Sequence, residues 1–146
     1  MKHDCIGPLI RAGIEYEDAL ALRRIAMTLD RWHEMECGNS NSYGSWAIER
    51  DETETGDGLP YLVHHQWGHG RWPDSTTRTR IPDREKGALK RLAKIMARYP
   101  ALGHYVQTDP RGASIYILRP GDVPEGEAVD CYYSRGLAVY KQERRS

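Results

Sequence analysis

The sequence has no phenylalanine, only three cysteines and no excess charge of either sign, with 21 Lys and Arg against 21 Asp and Glu. Each absence excludes something. A balanced chain has no overall field to steer it onto DNA or an anionic membrane. Cys5, Cys37 and Cys131 are odd in number and far apart, which argues against a disulfide framework and fits a reducing cytosol. No apolar run approaches the roughly 20 residues of a membrane span, and the N-terminus lacks the apolar stretch of a secretory signal. The expectation is therefore a cytoplasmic protein with no membrane partner. P-loop, dinucleotide fingerprint and nucleophile elbow are all missing, so no motif fixes a chemistry and no cofactor is expected.

What is present instead is tyrosine and tryptophan, nine and four in 146 residues. A tyrosine where a phenylalanine would serve favours half-wet positions such as sheet faces and groove walls. The length suits one domain over residues 1–146, with a leader over 1–14 broken by Gly7-Pro8 and a frayed tail over 141–146. From Tyr16 to Cys37 the residues Leu22, Ile25, Ala26, Leu29, Trp32 and His33 recur at helical spacing, with Glu15, Glu17 and Asp18 near the positive end. A second helix is expected to start with Asp83 as its cap and to bury Leu89, Leu92, Ile95, Met96 and Tyr99 before Pro100 ends it.

Strands are expected over Trp46–Arg50 and Tyr61–Gln66, with Arg78–Ile81 as a short edge strand. His104–Thr108 and Ala113–Arg119 flank the turn Asp109-Pro110-Arg111-Gly112, in which Gly112 is expected at positive φ. Val129–Tyr133 and Leu137–Lys141 read as a further hairpin. This order has no sustained βαβ alternation. It predicts an α+β fold, a mainly antiparallel sheet of about five or six strands with two amphipathic helices packed on one face.

Candidate sites are weaker than candidate elements. His64, His65 and His69 lie close in sequence, but on a strand the first two face opposite sides, and no metal-binding motif accompanies them. Asp83, Glu85 and Lys86 have the wrong order and spacing for a metal-dependent nuclease. No nucleophile motif accompanies the three cysteines, so nucleophilic catalysis has no local support. The chain thus reads as a binder rather than an enzyme.

Rings and guanidinium groups carry that reading. The turn region offers Gln107, Thr108 and Arg111, with Tyr105 and Tyr132 as flat rings for a base. Trp67 and Trp72, with Arg71 between them, sit in a loop rich in Gly and Pro where burial is difficult. From Arg71 to Arg98 there are nine basic residues against three acidic. Within that run Arg91, Lys94 and Arg98 share one helix face and form a candidate nucleic-acid or partner surface.

The segments Tyr16-Glu17-Asp18-Ala19, Leu22 to Leu29, Arg31-Trp32, Glu36-Cys37-Gly38, Ala47 to Asp51, Gln107 to Gly112, Arg119 to Pro124 and Val129 to Tyr140 resemble a family of small phage and prophage accessory proteins. The resemblance covers most of the chain and carries no catalytic residues with it. It implies a context, since such proteins often counter bacterial immunity or redirect host machinery, commonly by binding. The expected function is capture of a phosphate-bearing ligand, such as a nucleotide immune signal, inside an infected or lysogenic host. Inhibition of a host defence protein, a CRISPR complex or a restriction enzyme, is one alternative; nucleic-acid binding is the other.

Overall fold

In the computed structural model the described residues are 2–3, 6–37, 44–50, 60–68, 70–71, 73–109, 112–122 and 136–142. They form an α+β fold. The elements in chain order are β1 (Lys2–His3), α1 (Ile6–Arg11), α2 (Tyr16–Cys37), β2 (Gly44–Arg50), β3 (Pro60–Gln66), β4 (Ser75–Arg80), α3 (Asp83–Met96), β5 (Gly103–Asp109), β6 (Gly112–Leu118), β7 (Leu137–Ala138) and β8 (Lys141–Gln142). Among the described residues no helix is long and apolar enough to cross a membrane.

The main sheet runs β4-β3-β2-β5-β6-β7, with every pairing antiparallel. It consists of two three-stranded halves. The β2–β3, β3–β4 and β5–β6 ladders are long and the β6–β7 ladder is short, while among the described residues β2 and β5 are paired at Trp46–Thr108. A separate two-stranded ribbon joins β1 to β8, so Lys141 and Gln142 in the expected tail are held against Lys2 and His3.

Period-two alternation gives the sheet two unlike faces. On one face Val106, Ala113, Ile115 and Ile117 meet Leu22, Ile25, Leu29, Leu92 and Ile95 in the principal core. On the same face Ile48 and Leu62 pack with Trp32, Ile81 and Leu89 in a smaller cluster. Both long helices thus contribute to one face, and the stripe read from Leu22 to His33 is the buried stripe of α2.

Several local expectations are corrected. The expected leader contains α1, whose Ile6 and Leu9 are buried in the core. Pro8 is tolerated there because it occupies the first turn, where its missing N–H has no helical partner to lose. Gly13, at φ 102°, closes the helix, and the Ile14 amide returns to the Leu9 carbonyl at 3.1 Å. Asp83 does not cap α3. Pro82 holds the cap position with no side-chain cap bond, and Asp83, the first helical residue, lies 3.9 Å from Lys86 Nζ.

Tyr99 falls beyond the end of α3; its ring packs against the core as expected, and its hydroxyl reaches the start of α2. The edge strand is β4, longer than Arg78–Ile81 and exposed at every residue. Gly112 has the expected positive φ, 153°, but is the first residue of β6. The expected strand Val129–Tyr133 lies outside the described residues.

Two buried carboxylates tie helices to other elements. Asp18 accepts hydrogen bonds from Arg98 Nη1 at 2.7 Å and Tyr99 Oη at 2.5 Å, while the Glu15 amide donates to the same Tyr99 oxygen at 3.0 Å. Asp30, 4% exposed, accepts the Ala113 amide at 3.0 Å and so fixes the start of β6 against α2. The Trp32 indole N–H, in contrast, is buried with no hydrogen-bond partner among the described residues.

Candidate functional site on the helix-free face of the sheet

Opposite the helices, alternation presents Tyr61, Val63 and His65 from β3, Thr76, Arg78 and Arg80 from β4, and Ala47 and Glu49 from β2. From the other half it presents Tyr105 and Gln107 of β5 with Ser114 and Tyr116 of β6. The core clusters draw no residue from this set, and no helix of the described residues joins it to a core. Its three tyrosines are half-buried, as expected for rings placed where one side packs and the other meets water.

Each half carries its own aromatic arrangement. Tyr61 and Arg80 are cross-strand partners; Arg80 Nη2 donates to Tyr61 Oη at 3.1 Å, and the guanidinium carbon lies 5.3 Å from the ring centroid. Arg80 remains exposed in this position, as does Arg78 two residues before it. In the other half Tyr105 and Tyr116 are also cross-strand partners, stacked at 5.3 Å with 13° between ring planes.

Trp67 continues the line of β3 beyond Gln66 and is 50% exposed. Its ring meets His65 edge-on at 6.2 Å, and His65 Nδ1 is 2.9 Å from Thr76 Oγ1. The turn after Trp67 is held by Asp74, whose carboxylate accepts the Gly68 amide. Arg71 is exposed in that turn.

The sequence-derived residues therefore separate. Tyr105 and Gln107 come to the helix-free face, with Trp67 and Arg71 at its β3 end. Thr108 does not, because it pairs with Ala113 and Trp46 and so lies on the helix-covered face. Arg111, Trp72 and Tyr132 lie outside the described residues. On the helix layer Arg91 and Lys94 are exposed, but Arg98 sits past the helix end, paired with Asp18. The sequence signal for Arg80 is its place in an alternating Thr-Arg-Thr-Arg segment, which puts it on one side of the strand with Arg78.

His64 and His65 face opposite sides of β3, as strand alternation requires. Burial, and to a lesser degree the neighbouring His65, holds the His64 imidazole below its usual range. His69 lies outside the described residues, and among those described no three His, Cys, Asp or Glu side chains gather in a metal-binding group.

A shallow cleft of about 330 Å³ lies elsewhere, lined by Pro8, Arg11, Ala12, Arg119 and Leu137. Its Arg119 is already engaged: Asp122 accepts from Nε at 3.0 Å and from Nη2 at 3.2 Å. That bonding holds the Asp122 carboxyl below the usual carboxylate range. Among the described residues that line it, the remaining cation is Arg11 and there is no aromatic ring.

Comparison with protein-family models, with curated proteins and with solved structures finds no match to this chain. Its geometry is the basis for any functional reading.

Proposed function

We propose that the protein is a non-enzymatic binding protein that holds a phosphate-bearing ligand with a flat ring, such as a nucleotide, on the helix-free face of its sheet. The observation that carries this reading is the Arg80–Tyr61 pair. It sets a planar, exposed cation over a half-buried ring, with Arg78 one alternation away. A guanidinium offers forked donors to phosphate oxygens, and a tyrosine offers a stacking surface to a base. The resemblance to phage accessory proteins supports placing this activity in the cytoplasm of a phage-infected or lysogenic host, as an anti-defence or host-takeover function.

Calorimetric titration with mononucleotides and cyclic dinucleotides tests it. Binding is expected for at least one of them, and Arg80→Ala should weaken it about tenfold or more, corresponding to about 1.4 kcal/mol. Silence across the panel rejects the reading. A second reading, inhibition of a host defence protein, draws on the 50% exposure of Trp67 beside the exposed Arg71, since tryptophan and arginine dominate binding hot spots. It predicts that Trp67→Ala abolishes capture of a host effector while nucleotide titrations stay flat.

A further inference from the structure

Resting on that reading, we infer that the ligand class is a single strand of nucleic acid lying along the β3–β4 hairpin, with phosphates over β4 and bases over β3. Arg78 and Arg80 are alternate residues of one strand, so their Cα atoms are about 6.8 Å apart, of the order of one phosphate-to-phosphate step in an extended single strand. Both are exposed and both lie on the edge strand of the sheet. The register then aligns β3 with that cationic track: Tyr61 faces Arg80, Val63 faces Arg78 and His65 faces Thr76.

Continuing along β3, the same face reaches the exposed Trp67, six residues beyond Tyr61 and so about 20 Å away. One nucleotide cannot touch both rings, but a strand of about three or four can, with Tyr61 and Trp67 as its two stacking surfaces and the buried Val63 between them. Charge agrees. Neither β3 nor β4 contains an acidic residue, the exposed Arg71 lies at the Trp67 end, and Asp74 is occupied by the Gly68 amide. Glu49 belongs to β2, on the far side of β3 from the arginines. Such a track reads no sequence directly; it selects unpaired strands because stacking on Tyr61 and Trp67 requires bases free of a complementary strand.

The experiment is fluorescence anisotropy with labelled oligothymidylates of one, two, four and eight nucleotides and an eight-base-pair duplex, over a salt series. The calorimetric titration of mononucleotides on the same preparation accompanies it. The expected result is affinity rising steeply up to about four nucleotides, weaker binding of the duplex, and about tenfold loss on Trp67→Ala. Arg78→Ala should lower the slope of log affinity against log salt by about 0.7, the contribution of one phosphate contact on a single strand.

Affinity independent of length overturns the inference while leaving capture of a nucleotide intact. Failure of every oligomer and every mononucleotide overturns both. Oligomer binding lost on Arg91→Ala with Lys94→Ala, and unchanged by Arg78→Ala or Trp67→Ala, moves the strand to the helix layer and likewise overturns the proposal.

Discussion

Asp18 and Tyr99 show how single residues set the junction between the two long helices. Each is unremarkable in its own segment, and they meet only because the end of α3 is folded over the start of α2. Tyr99→Phe removes one hydrogen bond to a buried carboxylate and should cost about 1–3 kcal/mol in urea unfolding. Burial first, and the Asp18 hydrogen bond second, raise the Tyr99 hydroxyl above its ordinary pKa. Its neutral form is therefore favoured by folding, so this contribution is fully present below about pH 10 and is lost as pH rises through the folded value. Unfolding midpoints from pH 8 to 11 should fall more steeply for the wild type than for Tyr99→Phe. At Asp30 the bond to the Ala113 amide is buried, and Asp30→Ala should cost about 1–3 kcal/mol by leaving that donor unmet.

Elements differ in how openly the sequence declares them. α2 was legible from end to end because its apolar stripe is long and its start is acidic. α1 was not, since six residues containing Gly7-Pro8 carry too little period to outweigh two helix breakers. β4 is only partly legible because Ser75–Arg80 has no apolar alternation; its pairing with β3 supplies what its side chains do not. The short β7 depends on a glycine: Gly136 has φ 90°, and a Cβ there would stand 2.5 Å from the Ile117 carbonyl oxygen. Gly136→Ala combines backbone strain with that clash and should destabilise the protein by more than about 1 kcal/mol, measurable as a lowered midpoint in thermal unfolding.

Across the whole molecule, the basic run from Arg71 to Arg98 proves to be two surfaces. Arg78 and Arg80 lie on the helix-free face of the sheet, whereas Arg91 and Lys94 project from the helix layer. The surfaces should act independently. Arg91→Ala with Lys94→Ala is expected to leave nucleotide binding within about twofold of wild type in calorimetry, while Arg78→Ala with Arg80→Ala weakens it about tenfold or more. Electrostatic neutrality of the chain does not oppose such a site, because screening limits the field of a surface charge to about 10 Å in ordinary salt.

The sequence by itself determined the α+β class, the long helix, the central hairpins and the stock of rings and guanidinium groups, because periodicity and turn chemistry are local properties. It also carried the alternation that sorts Tyr61 from Leu62 and Tyr105 from Val106. Only the tertiary structure decided which of the two faces the helices would cover. With that choice came the meeting of Arg80 with Tyr61, the pairing of Arg98 with Asp18 and the withdrawal of Thr108 to the covered side. The physical reason is that alternation defines two faces without ranking them against distant segments, and the ranking follows from where α2 and α3 bury their apolar stripes.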